Sequence, residues 1–81
     1  MSARDAIFQE MRDVAALQKK RLATLADDLP LLDSGLDSLG FAILVARLED
    51  RLGADPFARS DNVKFPNTLG ELVAFYDEAL A

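Results

Sequence analysis

Gly35-Leu36-Asp37-Ser38-Leu39 leads without a break into Gly40-Phe41-Ala42-Ile43-Leu44-Val45-Ala46-Arg47-Leu48-Glu49-Asp50-Arg51-Leu52-Gly53. Phe41, Leu44, Val45, Leu48 and Leu52 recur at the three- and four-residue spacing of one helix face, which predicts a helix starting at Asp37/Ser38. Gly53 suits the residue that closes it. An Asp-Ser pair at a helix start is explained by capping alone. The same placement, however, sets the Ser38 hydroxyl at a helix N-terminus, where unpaired N–H groups and the positive pole of the dipole favour an attached anionic group. No other part of the chain is so well suited to carrying a chemical group.

A second line on this helix, Leu39, Ile43 and Ala46, follows the helical period on another side and ends in Asp50. A chain of this size buries only about 60% of its unfolded surface, so one helix is not easily covered all round. The second line is therefore expected to be partly exposed, and apolar side chains in water beside a modifiable serine read as a docking surface. The opposing reading covers Leu39 and Ile43 with the preceding loop and the third helix. Gly40, in the first turn, costs about 1 kcal/mol relative to Ala. It either permits close approach of a partner or is a tolerated weakness.

The first helix is expected from about Ala3 to about Lys20, with Ser2 as N-cap and Asp5 completing an acidic capping box. Ile7, Met11, Val14 and Ala15 form its buried stripe, flanked by Phe8. Lys19, Lys20 and Arg21 suit the negative pole of its dipole. Residues 22–36 form a long loop rich in Leu. Leu22, Leu25, Leu29, Leu31, Leu32 and Leu36 are costly to leave in water, so the loop should lie across the core, with one short helical turn near Asp28–Leu31. After Gly53, Asp55-Pro56 opens a short third helix over roughly Pro56–Ser60, anchored by Phe57. Val63 to Pro66 reads as extended, with Val63 and Phe65 against the core. Thr68-Leu69-Gly70-Glu71 is a capping box for a last helix over about Leu69–Ala79. Its apolar face is Leu69, Leu72, Val73, Phe75, Tyr76 and Leu80.

With 81 residues the chain has room for one small domain, residues 1–81, and no second core. Its 51% hydrophobic and 28% charged residues are those of a globular protein. It has no Cys and no His. Thiol nucleophiles, thiolate metal sites, disulfides and the usual neutral-pH general base are thereby excluded, and a Ser38 hydrolase has no base to activate it. The apolar run from Leu39 to Ala46 is far shorter than the roughly 20 residues of a membrane span, and no secretory signal is seen at the start. A cytoplasmic protein is expected, with neither membrane nor metal in its function. The net charge of −5 is uneven. Residues 1–26 carry five bases against three acids, and residues 27–81 eleven acids against four bases. An acidic body repels nucleic acid and suits a basic protein partner, although mild acidity also serves solubility alone.

Taken together, Gly35-Leu36-Asp37-Ser38-Leu39, the helix ending in Leu48-Glu49-Asp50-Arg51-Leu52-Gly53, and Thr68-Leu69-Gly70-Glu71-Leu72 resemble an acyl carrier protein, a member of the phosphopantetheine-binding carriers. The resemblance implies an all-α fold, a four-helix bundle with a long first loop and a short third helix. It implies that a phosphopantetheinyl transferase esterifies Ser38 with 4′-phosphopantetheine from coenzyme A with Mg²⁺, and that Asp37 helps organise the metal and the serine. The arm's thiol then holds an acyl or aminoacyl group as a thioester. Other implied partners are an acyl- or aminoacyl-adenylating ligase and an acyl transferase or synthase, with the carrier itself a monomer and not an enzyme. Carriers of fatty-acid synthesis usually show several acids soon after the serine. This chain shows Leu39, Gly40, Ala42, Ile43 and Ala46, with Glu49 and Asp50 only near the far end, so a free-standing, specialised carrier is expected. The alternative is a non-catalytic helical interaction module in which Ser38 stays unmodified.

Overall fold

Four helices are present in the computed structural model, which describes residues 2–59 and 65–81: α1 Arg4–Leu17, α2 Ser38–Leu52, α3 Pro56–Arg59 and α4 Leu69–Leu80. No strand occurs among the described residues, so the fold is all-α, as expected. Three apolar stripes account for the helical part of the core. Ile7, Met11 and Val14 of α1 meet Leu44 and Leu48 of α2 and Leu69, Leu72, Val73 and Tyr76 of α4, all buried. Phe57 anchors α3 as expected, with its ring centroid 5.0 Å from that of Phe75 and 6.3 Å from that of Tyr76.

Helix ends show where local reading suffices and where it fails. Asp37 caps α2, Gly53 closes it at φ 72°, and the Phe57 N–H donates to Asp55 Oδ1 at 3.1 Å. In α4 the Glu71 N–H donates to Thr68 Oγ1 at 3.2 Å, while Glu71 Oε2 accepts from Asn67 N. The expected box at the start of α1 does not form. The N-cap residue is Ala3, Ser2 Oγ accepts from the Arg4 N–H at 3.1 Å, and Asp77 of α4 takes the Ala3 N–H. A carboxylate from the far end of the chain replaces the local one.

Helix α1 also stops short of Lys20. Lys19 adopts φ 55°, its N–H donates to the Ala16 carbonyl, and the Lys20 N–H donates to Ala15 O at 2.9 Å. This pair of bonds is a Schellman closure with lysine in the left-handed position that Gly usually takes. No basic residue lies in the last turn; Lys19, Lys20 and Arg21 fall just past the helix end.

The Leu-rich loop crosses the core, but its short turn is 3₁₀ and covers Leu31–Asp33 rather than residues near 28. Pro30 is extended and pairs with Thr68, and the Leu31 N–H donates to Asn67 O while Leu69 N–H donates to Leu29 O. These bonds pair residues 29–31 with 67–69 around a single bridge, and the turn begins only at Leu31, the last of them. Leu31 and Leu36 are buried, whereas Leu32 is 94% exposed. Three residues per turn send the next side chain a third of a turn away from the core. Phe65, expected inside, is 74% exposed, although its ring lies 5.3 Å from that of Phe57. Leu80 is 43% exposed at the last position of α4. Val63 and Ser60 fall outside the described residues.

Tyr76 is fully buried and its hydroxyl has no hydrogen-bond partner among the described residues. Burial, with the nearby charges of Asp55 and Glu49, pushes the phenol up to about 12. The folded chain therefore keeps a proton that the unfolded chain loses near pH 10. This contribution to stability is full below the unfolded value and disappears as pH rises through the folded one. Tyr76→Phe removes a polar group that has no partner, so it is expected to match or exceed wild-type stability at neutral pH and to lessen the alkaline loss. Urea midpoints at about pH 7 and about pH 11 check both.

Candidate functional site

The turn that ends the loop and starts α2 is built on buried supports. Ser34 is buried, its hydroxyl donates to Leu31 O at 2.7 Å and accepts from the Leu36 N–H at 3.3 Å. Leu36 is buried two residues on. Between them Gly35 adopts φ 102° with its Cα against the Arg21 carbonyl, where a Cβ has no room. The Ala23 N–H donates to Ser34 O at 2.9 Å, so the segment after α1 is laced to the turn.

Asp37 then reverses into the helix. Its Oδ1 accepts from the Gly40 N–H at 2.7 Å and its carbonyl accepts from the Phe41 N–H at 2.9 Å. The Gly40 bond holds the Asp37 carboxyl below its ordinary range, and the Lys20 ammonium, 3.6 Å from Oδ2, acts in the same direction against partial desolvation. Gly40 is itself buried. A Cβ there would lie 2.7 Å from Gln18 Oε1, so the neighbour it admits is the end of α1, and Gly40 is removed from the exposed face. Ser38 is exposed, and its hydroxyl makes no hydrogen bond to a described residue. The N–H groups of Ser38 and Leu39 are also unpaired among the described residues.

The face of α2 beyond the serine divides as follows. Leu39 is 63% exposed, and Ala42, Ala46, Glu49 and Asp50 are exposed. Spacings of three, four and three place Leu39, Ala42, Ala46 and Glu49 along one line. Ile43 is half-buried and packs on the core.

Sequence reasoning missed the clamp that fixes α2 against α1. Glu10 is buried; its Oε1 accepts from Arg47 Nε at 2.6 Å and its Oε2 from an Arg51 guanidinium nitrogen at 3.1 Å. Asp13 adds a 3.6 Å ion pair to Arg47. The signal was present: Glu10 falls on the apolar stripe between Ile7 and Val14, and a carboxylate there requires a partner. The Arg47 bond, with help from Arg51 and against desolvation, lowers the Glu10 carboxyl from its ordinary 4.5. A carboxyl held low stabilises the fold above its unfolded value, and that stability is lost as pH falls through the folded one. Acid unfolding of the wild type is expected to begin below about pH 4.5 and to flatten in Glu10→Gln. Circular dichroism against pH measures it.

An exposed, unbonded hydroxyl at the first position of a capped helix, flanked by free N–H groups and next in sequence to the lysine-paired Asp37, fits a phosphate ester. The family model of the phosphopantetheine attachment site matches residues 5–75. The chain belongs to this family. No curated protein and no solved structure gave a match. Members of the phosphopantetheine-attachment family bear 4′-phosphopantetheine covalently on a serine, and its thiol supplies the thioester chemistry. They are carriers of acyl groups and not catalysts, and they work with modifying and synthetic enzymes. No group of acids suited to holding a metal ion occurs among the described residues, and none of the described helices is long and apolar enough to cross a membrane.

Proposed function

We propose that Ser38 is the residue that bears the arm, and that the chain carries acyl or aminoacyl groups as thioesters for a specialised pathway rather than for housekeeping fatty-acid synthesis. The observation that carries the assignment is a contrast among the described serines. Ser34 is buried with its hydroxyl donated, Ser2 donates to Asp77 Oδ2, and Ser38 is exposed with its hydroxyl unbonded. In the transfer, Ser38 Oγ bonds to the phosphorus of coenzyme A next to the pantetheine. The pyrophosphate bond breaks, the adenosine bisphosphate leaves, and the hydroxyl proton passes to the transferase. Asp37 Oδ1 is occupied by the Gly40 N–H and Oδ2 stands 3.6 Å from the Lys20 ammonium, so a metal ion accompanying the transfer would share Oδ2 with Lys20 or displace it. Intact mass after incubation with a broad-specificity phosphopantetheinyl transferase and coenzyme A tests the reading: one added arm supports it. No added mass supports the interaction module instead.

The specialised role rests on the makeup of the α2 surface. Leu39, Ala42 and Ala46 are exposed where a basic enzyme would need acids, and Glu49 and Asp50 lie at the far end of the helix. A partner such as an adenylating ligase would meet an apolar strip closed by two carboxylates. Ile43→Glu places a charge at the edge of that strip. Loading of the armed protein by its ligase is expected to fall about tenfold, as a loss near 1.4 kcal/mol in docking implies, while arm attachment stays largely unchanged. Equal loading rates for wild type and variant would remove Ile43 from the docking surface.

A further inference from the structure

The residues just after α1 are tied to the serine turn at three points, Lys20, Arg21 and Ala23. Lys19 takes a left-handed conformation that side chains disfavour, and through it the Lys20 N–H is fixed to Ala15 O. Arg21 abuts Gly35, and Ala23 bonds to Ser34. Lys20 therefore leaves a fixed point of the backbone, and its ammonium stands 3.6 Å from Asp37 Oδ2. Among the described residues it is the one cation paired with this turn. A charge held from a fixed point of the backbone is a reason to ask what it meets.

The electrostatics of the turn change when the serine is modified. Asp37 is already an anion, and a phosphodiester on the adjacent Ser38 sets a second negative charge beside it. Free N–H groups and the helix dipole offset part of the repulsion, and a nearby ammonium offsets more. We propose that Lys20 is a positioning residue for the modified serine, the counter-ion that Asp37 and the Ser38 phosphodiester share, and so fixes the root of the arm. The inference rests on Ser38 as the attachment point.

The test uses the full chain as wild type, Lys20→Gln and Lys20→Arg, each before and after arm attachment. Before attachment, Lys20→Gln is expected to melt within about 2 °C of wild type, because an exposed ion pair contributes little. After attachment, Lys20→Gln should fall about 3 °C further relative to its own unmodified form, while wild type and Lys20→Arg do not. The ³¹P resonance of the phosphodiester should move in Lys20→Gln, stay near wild type in Lys20→Arg, and converge among the three in about 1 M salt. A role confined to the unmodified fold would shift both forms equally and leave the ³¹P line in place, which overturns the proposal. A wild-type chain that takes up no arm overturns the Ser38 reading and this inference with it; an armed chain with unchanged differences overturns the role of Lys20 alone.

Discussion

Ser38→Ala is expected to abolish arm attachment while leaving the protein folded. The cap of α2 is Asp37, which bonds Gly40 and Phe41, so the helix start does not depend on the serine hydroxyl. Ser38 is exposed and its hydroxyl bonds to no described residue, and alanine is the better helix former. Stability should therefore stay within about 0.5 kcal/mol of wild type, the range of surface substitutions that break nothing. Attachment should fall below detection, because the other described serines, Ser34 and Ser2, are engaged elsewhere and no Cys offers a second nucleophile. Measuring mass and melting temperature on one preparation separates the chemical loss from a folding loss. A Ser38→Ala chain that is folded and still takes up an arm would overturn the assignment.

Gly35→Ala is expected to destabilise the fold by about 3 kcal/mol or more, the largest structural effect among the single changes considered. Two penalties combine. A side chain at φ 102° is strained by itself, typically by about 1–2 kcal/mol. The added Cβ also meets the Arg21 backbone carbonyl, which cannot swing aside as a flexible side chain would. Relief requires separating residues 21–23 from 34–35 and giving up the Ala23 to Ser34 bond. In a domain of this size that corresponds to a melting temperature lower by roughly 12 °C or more. The turn carrying Ser38 would lose its support, so attachment should slow even at temperatures where the chain is folded. Gly53→Ala makes a useful contrast: its φ is 72°, but nothing lies within 4 Å of the added carbon, so its cost is conformational alone.

The helices were legible because their periodicity and their ends agree. On α2, the Leu44 and Leu48 stripe, the Asp37 cap and the closing Gly53 all point to one segment. The exposed position of Ser38 was legible for the same reason, since a hydroxyl just inside an Asp-capped helix start is a local pattern. What escaped was set by partners distant in sequence. Asp77 caps α1 from α4, and the pairing of residues 29–31 with 67–69 displaces the short turn. Gly40 read either as an opening toward a partner or as a tolerated weakness, and it is Gln18 that lies against it. Lys20 read as a cation near the end of α1, and its pairing with Asp37 across the turn was not foreseen. Each depends on which segments meet, and a single sequence carries no direct record of that.

The claim on which the account turns is that one hydroxyl bears the arm. The most direct measurement is fragmentation mass spectrometry of the wild-type chain after incubation with the transferase and coenzyme A, which locates the added group along the sequence. The account expects a single arm, on Ser38. An arm on Ser2, Ser34 or Ser60, or a chain recovered with none, would contradict it.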